Sequence, residues 1–480
     1  MKSMRVVVGL GLVLATAGCK DFLSGPGLTQ NPNQATQATP LQLLIAFQAG
    51  TWTRLEGQLA RSAGIYTQQL IGSNNQQLTW ATQYGQSESD ITGVMSGFYT
   101  GNGLLALRTI QASANASGDK FLEGIAKVWE GFTMGEATSV WGDLPYSEAL
   151  NPSILTPKLD PQQQIYATVQ TRLDEGIALL QAASTTGACE PSDLVYCGRS
   201  PLPTRAQEIS RWIAAANTIK ARFYLHLVER NGNAAYTQAL AAAQKGIAEA
   251  PTGTTSASQA MNGQAPGDFR SFHGSTLDQD ANIWYEFLNS RQDLVAGNAL
   301  IQILQSRNDP RLAAYFDPNS AGQFRGMDQN TVVVGGGAAS VINASVRRAP
   351  NFPQPLVTWA ENQLIQAEAQ YQLNGAAAAL PFVNAVRTAV GMPALAAVTF
   401  QDVMTEKYIA MFQNIEVWSD YKRTCIPQLT PFGSATEIPG RLPYSSAERV
   451  SNPNIPLPSA YPTGTTGPAP LRNWDDPNKC

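Results

Sequence analysis

The chain has 480 residues, 43% of them hydrophobic, with 36 acidic against 32 basic side chains and a net charge of -4. That length can bury a large core, as one large domain or as two packed lobes, and a mean hydropathy of -0.17 suits a globular body. An acidic balance without a basic cluster makes nucleic acid and anionic lipid poor partners.

In chain order, the first element is a leader. Lys2 and Arg5 precede the apolar run "VVVGLGLVLA", which ends in "TAGC". This pattern predicts a secretory signal peptide over residues 1–18, since a membrane span needs ~20 apolar residues. The small Ala17 and Gly18 directly before Cys19 predict lipoprotein processing, with Cys19 lipidated as residue one of the mature chain. Thr16 stands where a bulky aliphatic is usual, and an ordinary signal with a stray cysteine is the alternative. Each buried acyl CH₂ adds about 0.8 kcal/mol, so several chains on one residue anchor an otherwise soluble body. Residues 19–40 are polar, aperiodic and rich in Gly, Pro, Asn, Gln and Thr, which predicts a flexible tether ahead of a single domain over 41–480.

Next comes "NNQQLTWATQYG", in which Trp80 and Tyr84 stand four apart among Asn75, Gln77 and further amides. Sugar rings stack an apolar face on aromatics and offer hydroxyls to amides, so this chemistry suits a glycan cleft. The alternative is that each aromatic is core. The polar neighbours of Trp80 favour an exposed stacking platform.

Helices follow. "DKFLEGIAKVWEGFTMGEATSVW" puts Phe121, Ile125, Val128, Trp129, Phe132 and Met134 largely on one side, and "QQQIYATVQTRLDEGIALLQAA" does the same with Ile165, Val169, Leu173, Ile177 and Leu180. Cys189 and Cys197 enclose a short loop and form the nearer pair, which leaves Cys425 for Cys480 by difference. Four cysteines permit three connectivities, and spacing alone does not choose. "SRWIAAANTIKARFYLHLVERNGNAAYTQALAAAQKGIAEA" predicts a helical hairpin with one helix to about Arg230, a break at "NGN" and a second helix ending before Pro251. "TWAENQLIQAEAQYQLNGAAAALPFVNAVRTAVG" repeats the plan with its break at Asn374 and Gly375. Small alanines set against large residues suit tetratricopeptide-type repeats of about 34 residues, with two unrelated hairpins as the alternative. Either way the fold is mainly α.

Between the hairpins, residues 252–357 are rich in Gly, Ser, Asn, Asp and Pro, predicting an irregular, loop-rich lobe. Its "FRSFHGSTLDQDANIWYEF" offers Phe272, His273, Trp284, Tyr285 and Phe287 as a second aromatic cluster. Asp278, Asp280 and Asn282 start like a calcium loop but lack its glycine and terminal Glu, so a solvated loop is expected. Gly335 to Gly337 lack the spacing of a phosphate-binding turn and predict a plain turn or hairpin. His226 and His273 are the two histidines and there is no CxxC, so no zinc site and no cofactor is expected. No HExxH, GxSxG or Cys-His pairing marks an enzyme. His226, in "RFYLHLVER", reads as a satisfied structural residue. The carboxylates Asp278, Asp280, Glu286 and Asp293 leave a glycan-processing enzyme as the alternative to a binding protein.

"CKDFL" with "NPN", "VWGDLPYSEAL", "RNDPRLAAYF", "LIQAEAQYQLNGAAAALPFVNAVRTAVG", "EKYIAMFQNIEVWSDYKRT" and "GRLPYSSAERVSNPN" together resemble the SusD/RagB outer-membrane lipoproteins, in that family's order and over nearly the whole mature chain. The resemblance implies a tetratricopeptide-like scaffold with an irregular lobe and a C-terminal region, here 426–480. It implies capture of a nutrient, commonly an oligosaccharide, at the outer face of the outer membrane and handover to a SusC-like TonB-dependent transporter. Ligand-contacting residues vary across that family. The candidate site residues Asn75, Gln77, Trp80, Tyr84, Phe272, His273, Trp284 and Tyr285 therefore rest on their chemistry alone.

Overall fold

The computed structural model describes residues 38–198, 202–277, 280–332, 337–456, 472–476 and 480. The leader, the Cys19 lipidation site and nearly all of the 19–40 tether lie outside them. The first described helix begins at Pro40, where Thr39 and Gln42 form a capping box and proline needs no hydrogen-bond partner for its nitrogen.

Ten helices carry the scaffold: α1 (Pro40–Trp52), α2 (Leu104–Ser117), α3 (Lys120–Trp141), α4 (Gln162–Gln181), α5 (Arg205–Leu225), α6 (Asn233–Ala243), α7 (Trp359–Asn374), α8 (Ala376–Ala389), α9 (Phe400–Ala410) and α10 (Glu416–Thr424). From α1 to α8 each helix packs on the next, the nearest-neighbour stacking of a helical-repeat protein. Glycines set how closely they approach. A Cβ on Gly131 of α3 would lie 2.7 Å from Leu173 of α4, and one on Gly135 would lie 2.2 Å from the Phe223 ring of α5. The apolar residues read from α3, Phe121, Ile125, Val128, Trp129, Phe132 and Met134, are all buried, but so is the rest of this central helix apart from Lys120 and Lys127. The Trp129 ring meets Phe47, Phe132, Trp212 and Phe269 at centroid distances of 5.2, 6.0, 6.0 and 4.9 Å, joining α1, α3 and α5 to the lobe between the hairpins.

Both hairpins form, with shifted ends. The first breaks after Leu225, where a short turn of helix (Val228–Asn231) leads to Gly232 at φ +53°, and α6 stops at Ala243, short of the expected end. Just past its end, Gly246 runs against Asn362 of α7, whose Oδ1 would lie 2.3 Å from a Cβ, so only glycine fits there. The second hairpin breaks as read, at Gly375 with φ +86°.

Residues 252–357 are more ordered than expected. They hold short helices Ser256–Asn262, Ile283–Asn289, Asn298–Ser306 and Arg311–Tyr315. Six short strands form three antiparallel pairs: β1 (Leu70–Gly72) with β3 (Leu294–Ala296), β2 (Phe269–Arg270) with β6 (Pro355–Val357), and β4 (Phe316–Asp317) with β5 (Val341–Ile342). Gly335 and Gly336 lie outside the described residues, and Gly337 has φ +64°. Disulfides join Cys189 to Cys197 and Cys425 to Cys480, with Cα atoms 5.5 and 5.2 Å apart.

The sequence motifs prove to be buried charge networks. Arg222 of α5 is fully buried. Its Nε and Nη2 donate to Glu361 of α7 at 2.6 and 2.7 Å, its Nη1 to Glu136 of α3 at 2.6 Å, and Nη2 also to the Leu356 carbonyl of β6 at 2.6 Å. In "RNDPRL", Arg311 is held by Asp309 at 2.6 Å and by Glu406 at 2.5 Å. In "EKYIAMFQNIEVWSDYKRT", Lys407 reaches Asp420 at 2.8 Å, and Arg423 bridges Asp420 and Glu368. In "VWGDLPYSEAL", Gly142 ends α3 at φ +76°, while Asp143 accepts the Gln162 N–H at 2.8 Å and so caps α4.

His226 is structural, as read. It lies buried between Tyr166 Oη, 2.8 Å from Nδ1, and Glu416, 3.0 Å from Nε2, and Tyr166 in turn donates to Asp475 at 3.1 Å. Burial lowers its pKa to about 4, and burial with Asp420 nearby pushes the Glu416 carboxyl well up. A protonated Glu416 donating to a neutral imidazole satisfies the chain of partners.

Candidate functional site

The first aromatic cluster folds inward. A short helix, Asn75–Gln83, lies on β1, and its residues Gln77, Trp80 and Ala81, with the following Tyr84, are all buried. Trp80 is 3% exposed, so the expected exposed platform is a core side chain. Tyr84, 4% exposed, stacks on Phe432 with centroids 5.1 Å apart, and its hydroxyl accepts the Phe432 N–H at 3.2 Å. Asn75 is exposed and donates to Asp293 at 3.0 Å.

The second cluster divides. Trp284 is fully buried and Tyr285 half-buried. His273 is buried, with Nε2 2.8 Å from Glu56 and its ring tilted against Trp52 at 5.6 Å. Burial opposes charge on this imidazole, but Glu56 outweighs it and holds the pKa above the ordinary value. Phe272 remains exposed, beside Gly198 at the end of the first disulfide loop. Asp278 lies outside the described residues, while Asn282 accepts the Trp284 N–H at 2.8 Å, capping its helix. Among the described residues, no hydrogen bond, ion pair or ring contact joins the two clusters. Of the selected residues, Gln77, Trp80, Tyr84, His273 and Trp284 are buried, while Asn75, Phe272 and Tyr285 keep exposed surface.

A cleft lies where three distant segments meet. It holds about 630 Å³ and is floored by β1 and the residues after β3. One wall is the helix Asn298–Ser306 and the 327–330 loop, and the other is the 427–432 segment leaving α10. Backbone pairing fixes the floor: Leu70 faces Ala296, the Gly297 N–H donates to Gln69 O at 3.0 Å, and the Asn298 N–H donates to Met327 O at 2.8 Å. A Cβ on Gly297 would lie 2.0 Å from the Gln68 carbonyl, so only glycine allows this approach. Gln68 Nε2 donates to Thr430 O at 2.6 Å and Gln329 Nε2 to Pro431 O at 3.4 Å, tying the walls together. Cys425, at the end of α10, is clamped to Cys480 where the 427–432 wall begins.

The chemistry of this lining is specific. Six amide side chains contribute: Gln68, Asn298, Gln302, Gln329, Asn330 and Gln428. Asn298, Gln302, Asn330 and Gln428 make no side-chain hydrogen bond to a described residue and stand part or fully exposed. Ile71, Ile303, Leu429 and Phe432 supply apolar surface between them. Asp328 is the one charged lining residue among those described, and its Oδ1 already accepts the Asn330 and Thr331 N–H groups at 2.9 and 3.0 Å. Unpaired neutral amides beside apolar patches match a neutral polyhydroxylated ligand, whose hydroxyls both donate and accept.

None of the expected site residues lines this cleft; Tyr84 comes nearest, stacked behind the lining residue Phe432. A second cavity of about 330 Å³ lies against α4, with its charged groups paired, Arg108 with the Tyr146 and Ala149 carbonyls, Asp160 with the Tyr146 and Ser147 N–H groups and Arg172 with Glu175, and with Gln164 as its one amide.

Comparison with known proteins gives one family. The family model SusD-like_2, described as starch-binding and associating with the outer membrane, matches residues 32–445. Among solved structures, a SusD/RagB family protein from Bacteroides thetaiotaomicron is 21% identical with a TM-score of 0.71, covering 92% of this chain and 100% of that one. A chitin-binding protein is 23% identical with a TM-score of 0.72 and the same coverage. A chitin-binding SusD homolog from Flavobacterium johnsoniae is 18% identical with a TM-score of 0.72, covering 92% of this chain and 97% of that one. No curated protein sequence matches.

Proposed function

The chain belongs to the SusD-like family, and from that premise we propose that it binds a neutral oligosaccharide in the amide-lined cleft without cleaving it and passes it to a SusC-like TonB-dependent transporter. The carrying observation is the set of unpartnered amides, Asn298, Gln302, Asn330 and Gln428, in a 630 Å³ cleft whose one charged side chain is already engaged. The starch-binding description of the family and the chitin-binding structural relatives support a glycan as the ligand class. Titration of the purified protein with neutral starch and chitin oligosaccharides is expected to give saturable binding to one class, with chain lengths unchanged after long incubation. Reproducible shortening, abolished by a single carboxylate substitution, would make it an enzyme instead.

The same proposal places the protein on the cell surface, held in the outer membrane by acyl chains on Cys19 after removal of residues 1–18. The sequence pattern at Ala17-Gly18-Cys19 and the outer-membrane association in the family's description support this. Membrane-extracted protein should show the mass of an acylated Cys19 N-terminus, and an unmodified mature mass would contradict the anchor.

A further inference from the structure

Arg61 and Arg291 meet at one aromatic ring. The Arg61 guanidinium carbon lies 4.0 Å from the Phe287 ring centroid, and that of Arg291 lies 5.5 Å from the same point. Arg61 comes from the helix Ala60–Tyr66, Phe287 from Ile283–Asn289, and Arg291 from the turn before β3. Neither arginine side chain makes a hydrogen bond or ion pair with a described residue, and Arg61 Nε is buried without a partner. Local acids do not compensate. Glu56 pairs with His273 through Oε2, Asp293 accepts from Asn75 through Oδ1, and Glu286 on the ring's own helix forms no ion pair, so none of the three pairs with either arginine.

This pair differs from the fully buried Arg222, Arg311 and Arg423, each of which is held by two carboxylates. Burial and the nearby Arg291 charge lower the Arg61 pKa to about 10. Two like charges brought together, one partly desolvated, call for a counter-charge. The geometry points to Arg61 and Arg291 as a binding site for a small oxyanion, carboxylate or sulfate, held against Phe287 by nitrogens of both guanidinium groups. Planar forked donors suit such an anion in a way an ammonium does not. None of the three residues lines the amide cleft, so the site is independent of the proposed oligosaccharide site.

The test titrates purified protein at low ionic strength with sodium glucuronate, sodium sulfate and glucose, following the arginine Nε–H resonances. Both anions should shift the Arg61 signal saturably and compete with each other, and glucose should leave it unmoved. Arg291→Gln, at an exposed position, should weaken both anions roughly tenfold or more, the loss expected for a charge-assisted hydrogen bond, with the unfolding midpoint unchanged. Arg61→Lys should weaken them too, since it keeps the charge but loses the fork. Neutral oligosaccharide binding should survive Arg291→Gln. Absence of a saturable response to either anion, or anion affinity unaltered in Arg291→Gln, would overturn the site. A response to glucuronate with sulfate inert would also overturn it, because recognition would then lie in the sugar ring.

Discussion

Replacing Arg222 by alanine is expected to lower unfolding free energy by about 3–5 kcal/mol, the loss typical when one partner of a buried ion network is removed. The guanidinium is fully buried and joins α3, α5, α7 and β6 through four hydrogen bonds of 2.6 to 2.7 Å. Its removal leaves the Glu136 and Glu361 carboxylates without their cation, beside the protonated Glu416 that lies 3.8 Å from the lost Nε. Burial already pushes the Glu136 carboxyl above its ordinary range, so the alanine variant would have to take up a proton or admit water there. Arg222→Lys should recover little, since an ammonium cannot reproduce the paired bonds to Glu361. Urea denaturation measures the cost, and a loss under about 1 kcal/mol would show that water reaches these groups in the native state.

Trp80→Ala is expected to cost about 3–5 kcal/mol through the cavity it leaves, while the folded fraction binds oligosaccharide with nearly parental affinity. Trp80 is 3% exposed and belongs to the main core cluster. Paired denaturation and binding measurements separate the effects. A stable variant with weakened binding would restore the stacking-platform reading and contradict the packing described above.

The error over Trp80 shows what sequence does and does not expose. Its immediate neighbours Gln76 and Thr79 are exposed, and their polarity suggested a surface site. Yet Gln77, Trp80, Ala81 and Tyr84 stand at helical spacing and are all buried, so the periodic signal was present with only two large apolar members to announce it. Where the apolar stripe is long, as in α4, the same rule identifies the core face: Ile165, Val169, Leu173 and Leu180 are buried while Gln164, Thr171 and Asp174 are exposed. Gly375 was legible for a different reason: a break with φ +86° between two helices suits glycine and little else.

The cleft carried no local signature. Gln68, Asn298, Gln302, Asn330 and Gln428 are spread over some three-quarters of the chain's length, and β1–β3 pairing and the Gln68–Thr430 hydrogen bond bring them together. Each is an ordinary loop or helix-surface amide until that pairing is known. The composition of residues 252–357 identified the right region for one wall, while the aromatics within it drew attention to Trp284 and His273, which are structural.

The most direct measurement is the affinity of the Asn298→Ala/Gln428→Ala double variant for whichever neutral oligosaccharide the parent binds. These amides stand on opposite walls of the cleft and have no partner to lose among the described residues, so the unfolding midpoint should stay at the parental value. With about 1 kcal/mol for each lost neutral hydrogen bond, binding should weaken roughly tenfold or more. Parental affinity in a fully folded double variant would place the ligand elsewhere and contradict the assignment of this cleft.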